Sequence, residues 1–272
     1  GIKEIILTDS NLIEDVLSYL NNLEGKKGYA FENYCPSGKS KRQYFTDENG
    51  MMIDAIREEI QSWKDKELIT ENEYYYLLAS LINAADHIAN MSGTYGAYLK
   101  IWRSVALKKI NLLPIEIYDN KKKNKTFKQD ANELITSISG DILYLDPPYN
   151  SRQYAPNFHV LESIAVWDKQ ELKGKTGLRN YDDQKSMYSQ KSNALTAFED
   201  LIEKANFKNI VLSYNNEGII PPENIRETLS KKGELTIYDT TYRRFRTERD
   251  HENRKYKDVG DKTTEYLYIV KT

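Results

Sequence analysis

The run DILYLDPPYNSRQY, residues 141–154, constrains the chain more than any other stretch. Residues 142–145 are apolar and strand-like, and the two prolines at 147 and 148 cannot continue a hydrogen-bonded ladder. A strand must therefore end at Leu145, and the chain must turn away carrying an acid, a rigid turn and an aromatic ring. Further strand-like runs lie at 209–214, 234–238 and 264–270, with helix-like segments at 158–166, 194–205 and 222–231. Strands separated by helices predict an α/β domain with a largely parallel sheet. The polar stretch YRRFRTERDHENRKYKDVGDK between the last two strands reads as a long hairpin loop, which makes that final pair antiparallel.

The opening EIILTDSNLIEDVLSYLNN reads as a short buried strand at 4–7 and then a helix. Asp9 or Ser10 can cap it, and Leu12, Ile13, Val16, Leu17 and Leu20 recur on one face. From 24 to 109 the character changes. A loop rich in Gly, Lys and aromatics, GKKGYAFENYCPSGKSKRQYF, precedes three helix-like segments. The first starts at Asp47 or Asn49 and reaches Trp63, the second runs from Thr70 through EYYYLLASLINAADHIANM, and the third spans 95–107. This region reads as an inserted, mostly helical subdomain.

Composition narrows the setting. At 272 residues, 39% of them hydrophobic, the chain can bury a core in one large or two modest domains. A net charge of −2 gives no global basic field, so any nucleic-acid contact rests on local clusters. The single cysteine, Cys35, excludes an intrachain disulfide framework. No apolar run approaches the ~20 residues that span a bilayer, so the expectation is a soluble, cytoplasmic protein. His87, His159 and His251 show no paired spacing, which argues against zinc. The 21 tyrosines suit half-buried packing and base stacking alike.

An Asp-Pro-Pro-Tyr turn after an apolar strand resembles the catalytic motif of the Dam-like adenine-N6 DNA methyltransferases, and NSRQY and NFHVLESIA resemble their restriction-modification members. The resemblance implies a Rossmann-like sheet, dependent on S-adenosylmethionine, with an antiparallel last strand. It assigns 1–23 and 112–272 to the catalytic domain and 24–111 to a helical insert, the candidate target-recognition region. An exocyclic amine conjugated to a purine is a poor nucleophile, and acceptors on its two N–H groups favour its attack on a methyl group. The Asp146 carboxylate and the Pro147 carbonyl would be those acceptors, the latter aimed by the restricted Pro147–Pro148 backbone. Tyr149 would stack on the flipped-out adenine.

For the cofactor the resemblance points to Asp9, Asp130, Ala131 and Asp146, although Asp9 and Asp130 also read as helix caps. For the substrate it points to Asn150, Arg152, Gln153 and Tyr154 past the motif, and to Ser213 and Tyr214 in LSYNNEG. Arg243, Arg244 and Arg246 open the basic loop at 242–257, which reads as a DNA contact or as a solvated hairpin, since Glu248, Asp250 and Glu252 partly neutralise it. The family's glycine-rich cofactor turn, expected before Asp9, does not occur, which leads to the expectation of an N-terminally incomplete chain. A second polypeptide supplying the turn, or a relative that binds DNA without methylating it, are the other readings. The implied function is transfer of a methyl group from S-adenosylmethionine to N6 of adenine in double-stranded DNA, with a cognate restriction endonuclease as functional partner. RNA adenine and a non-catalytic recognition module are the alternatives; cytosine-N4 and glutamine methylases usually begin the motif with Ser and Asn.

Overall fold

The computed structural model describes residues 10–243 and 262–272. The expected strand at 4–7, together with Asp9, Arg244 and Arg246, lies outside them. The chain divides into two compact units, one of Gly1–Lys122 and Ala155–Tyr181, the other of Lys123–Tyr154 and Asp182–Thr272.

The second unit is built on a four-stranded sheet. Strand β1 (Ser139–Leu145) runs parallel to β2 (Asn206–Asn215), with Leu145 opposite Leu212. Strands β3 (Glu234–Arg243) and β4 (Lys262–Lys271) form the expected antiparallel pair. Strand β4 inserts beside β2 as well, giving the order β1-β2-β4-β3. Three helices belong to this unit: α5 (Ala131–Leu134), α7 (Ala194–Lys204) and α8 (Pro222–Lys232). Alternation sets the core. Ile210, Leu212 and Tyr214 on β2 are buried with Phe198 and Leu201 of α7 and Leu229 of α8. Removing apolar surface from water in this way stabilises by roughly 25 cal/mol per Å². On β1 the alternate residues Ile142 and Tyr144 remain 65% and 61% exposed, so its apolar run is not a two-sided core strand.

The first unit is helical. It contains α1 (Ser10–Asn21), α2 (Tyr29–Tyr34), α3 (Asp47–Asp65), α4 (Glu71–His87) and most of α6 (Tyr154–Val166). Thr46 caps α3 by accepting the Asn49 N–H, and Thr70 with Glu73 forms a reciprocal capping box on α4. Gly28, just before helix α2, has no side chain to cap it. The Asp54 carboxylate of α3 supplies the cap instead, accepting the N–H groups of Gly28, Ala30 and Phe31 at 3.0, 2.7 and 2.8 Å. A Cβ at position 28 would stand 2.7 Å from the Asp54 carboxyl carbon, so the site needs glycine.

Two expectations change. The segment 95–107 is no helix; only Ser104–Leu107 forms a single tight turn. Asn90 holds the segment open: its amide donates to the Gln43 and Leu99 carbonyls and its oxygen accepts the Arg103 N–H. The loop expected at 24–45 also contains α2. Long-range pairs hold the helical unit together. Asn21 exchanges two hydrogen bonds with the Leu112 backbone, and Arg57, fully buried on α3, donates to the Ile164 and Ala165 carbonyls at the end of α6. No described helix is long and apolar enough to cross a membrane.

Candidate active site

The site forms at the end of the sheet where β1 and β2 finish. Ligands in open α/β sheets bind beyond such carboxyl ends. There, a cavity of about 640 Å³ is walled by Asp146, Pro147 and Pro148 on one side and by Lys128–Ala131 on another, with Tyr188, Phe198 and Leu201 supplying an apolar surface. The Asp146 side chain is exposed, while the two prolines are half-buried. Asp130 serves as a helix cap, accepting the Asn132 and Glu133 N–H groups at 2.8 and 3.4 Å at the start of α5, and it lines the cavity too. The acid is thus a helix cap that also faces the cavity. Ala131 lines the same wall.

Tyr149 is fixed through its backbone and open at its ring. Its carbonyl accepts the Ile219 N–H at 2.9 Å, and its ring, 41% exposed, meets the edge of Tyr214 at 6.4 Å with planes 89° apart. Tyr214 is buried, and its hydroxyl accepts the Ile220 N–H, so it presents a wall rather than a free polar group. Gly218 permits this arrangement, since a Cβ there would fall 2.1 Å from the Tyr214 ring. A Gly218→Ala substitution is accordingly expected to displace Tyr214 and reduce activity about tenfold in steady-state kinetics.

Past the motif, Asn150 folds back to accept the Arg152 N–H, leaving the Arg152 side chain exposed. Gln153 spends its amide on the backbone of Ser186, and Tyr154 is exposed at the start of α6. Ser213 is half-buried on β2, opposite Leu267. Arg243 closes β3 opposite Lys262. The cavity and motif thus bring together Asp130, Ala131, Asp146, Pro147 and Pro148, with Tyr149 and Tyr214 beside them.

Sequence reasoning missed Glu265 on β4, opposite Asn215. Burial, then the nearby Asp146 and Glu217 carboxylates, push its pKa up, against a lowering hydrogen bond from Asn215. Burial likewise raises the Tyr149 phenol, helped by Tyr154, Glu265 and Asp146. It also missed Ser186, Tyr188 and Phe198 as cavity residues. The alternation of TTEYLYIVK indicates a strand, but only the β2–β4 register brings Glu265 to the site.

A sheet with one antiparallel strand set between parallel ones, and an Asp-Pro-Pro-Tyr turn at the rim of a cavity at its strand ends, defines the methyltransferase class. The chain belongs to the D12 class N6 adenine-specific DNA methyltransferase family, whose model matches residues 2–228. It is 45% identical to the Type II methyltransferase M.NlaIII of Neisseria lactamica over 94% of this chain and 75% of that one. It is 45% identical to the Type II methyltransferase M.FokI of Planomicrobium okeanokoites, over 95% of this chain and 40% of that protein. It is 44% identical to the modification methylase StsI of Streptococcus sanguinis, over 89% and 38%. The chain spans three quarters of the first relative's length and about two fifths of the other two. No solved structure matches it.

Proposed function

We propose that this chain methylates N6 of a flipped-out adenine in double-stranded DNA as the modification activity of a restriction-modification system, with a cognate endonuclease as functional partner and the cytoplasm as its place. The observation that carries this reading is Asp146-Pro147-Pro148-Tyr149 at the rim of a cavity of about 640 Å³, a volume within the usual range for small-molecule sites. The residues fit S-adenosylmethionine: an apolar surface from Phe198 and Leu201 suits a purine, and the carboxylates of Asp130 and Asp146 suit hydroxyl and ammonium groups. Bound there, the donor supplies an electrophilic methyl group.

The chain's own groups do the rest by positioning and electrostatics. The Asp146 carboxylate and the Pro147 carbonyl accept from the two N–H groups of the adenine amine, so that positive charge developing on nitrogen is stabilised as it attacks. Tyr149 stacks on the base with Tyr214 behind it, a contact worth about 1–3 kcal/mol. Asn150, Arg152 and Tyr154 contact the nucleotide around the base, and Ser213 lines its pocket. In this reading 24–111 reads the target sequence.

Incubation with labelled S-adenosylmethionine and duplex DNA, followed by nucleoside analysis, is expected to yield N6-methyladenine. Retention of DNA without methylation would identify a recognition module instead, and label appearing only with RNA would move the substrate. Arg243, Arg244 and Arg246 bind phosphate in this reading. Replacing all three with alanine is expected to weaken DNA binding and reduce the salt slope by about 0.9 for each phosphate that is no longer neutralised. An unchanged slope would make the loop a solvated surface.

A further inference from the structure

The side chain of Gln153 and the backbone of Ser186 exchange two hydrogen bonds. The amide nitrogen donates to the Ser186 carbonyl at 3.0 Å, and the amide oxygen accepts the Ser186 N–H at 2.8 Å. A side-chain amide matched to both backbone groups of one residue imitates a neighbouring strand, and two parallel bonds fix orientation as well as distance. A third link lies alongside, where the Ser189 hydroxyl donates to the Arg152 carbonyl at 3.4 Å.

The joined segments have different duties. Gln153 lies five residues past Pro148, on the exit of the Asp-Pro-Pro-Tyr turn. Ser186 sits in a wall of the cavity that also includes Asp183, Lys185 and Tyr188. That wall is made of two single turns, Asp182–Gln184 and Met187–Ser189, with little regular structure to stiffen it. It is anchored from behind at Tyr188, whose hydroxyl donates to the Asn132 side chain at 2.8 Å and lies 3.2 Å from the Ala197 carbonyl. In front it is held at Gln153.

We infer that Gln153 is a positioning residue for the methyl-donor cavity, a latch that sets the Ser186 wall against the motif turn and joins the donor side of the site to the loop carrying Asn150, Arg152 and Tyr154. The inference rests on reading the cavity as the donor's site. One donor and one acceptor of the Gln153 amide are engaged by Ser186, so the part proposed here differs from the substrate contact expected at this position. The coupling is reciprocal: what fills the cavity steadies the loop, and what orders the loop favours filling the cavity.

The test is equilibrium binding of S-adenosylhomocysteine, which occupies a donor site without turnover, measured by calorimetry with the full chain. Gln153→Leu, similar in size, leaves both Ser186 groups without their partner and is expected to weaken binding about tenfold. Backbone hydrogen exchange across 182–190 is expected to speed up in the same variant without ligand. Gln153→Glu supplies a readout that general loosening does not move. Ionised, its carboxylate can accept the Ser186 N–H but cannot donate to the Ser186 carbonyl; protonated, it can do both. Its affinity is therefore expected to recover as the pH falls from 8 towards 5, while that of Gln153→Leu does not. A folded Gln153→Leu variant that binds like the wild type, with unchanged exchange across 182–190, would overturn the latch alone. A wild-type chain that fails to bind S-adenosylhomocysteine would instead remove the reading of the cavity, and this role with it.

Discussion

Asp146→Ala is expected to lower methyl transfer to adenine-containing duplex DNA by about 10²–10³-fold, the usual cost of removing one preorganised hydrogen-bonding group from a transition state. The loss should fall on kcat, because the acceptor matters most while charge develops on the amine nitrogen. The side chain is exposed at the cavity rim and supports no core, so the melting temperature of the variant should match that of the wild type. Circular dichroism beside a radiolabel assay separates the two effects. Full activity in a folded Asp146→Ala variant would remove this residue from the chemistry.

The second large effect is on stability. Asp54→Ala deprives Gly28, Ala30 and Phe31 of the acceptor for their N–H groups, two of them in fully or nearly fully buried residues. Unpaired buried donors cost about 1–3 kcal/mol each; with partial relaxation, the loss should total about 3 kcal/mol in urea unfolding. The cost depends on pH. Burial raises the Asp54 pKa from 3.8 to about 6, against the lowering effect of the three N–H groups. The folded chain therefore binds this proton more tightly than the unfolded chain does. The resulting stabilisation, about 3 kcal/mol at 1.36 kcal/mol per pKa unit, is present below pH 4 and is lost as the pH rises through 6. Asp54→Ala should accordingly be more harmful at pH 5 than at pH 8. A difference of the opposite sign would contradict the burial argument.

Much of the sheet unit was legible because its signals are local. Apolar alternation located β1 to β4, proline and the motif ended β1, and the polar stretch between β3 and β4 marked their antiparallel pairing. The motif itself, with Asp130 and Ala131 upstream, pointed to residues that line one cavity. What escaped depends on partners far along the chain. Segment 95–107 has the composition of a helix, yet Asn90 satisfies the Leu99 carbonyl and the Arg103 N–H in an open conformation. Glu265 needed the register of β4 on β2, and Ser186 needed the amide of Gln153. Neither the Asn21–Leu112 exchange nor the Arg57 contacts leave a trace in local periodicity.

The Arg57 contacts also bear on how the chain is made. Two of the acceptors around this buried guanidinium, the Ile164 and Ala165 carbonyls, lie about 40 residues beyond Lys122, where the first stretch of the helical unit stops. Val160 and Ile164 of α6 are likewise part of that unit's core. On a ribosome adding about 5–20 residues per second, the nascent helices wait about 2–8 s for these groups, while the segment containing β1 is made in between. The helical unit therefore cannot finish folding before the motif strand has been synthesised, and a nascent chain stalled near residue 122 would hold a charged, half-satisfied core for a chaperone to cover.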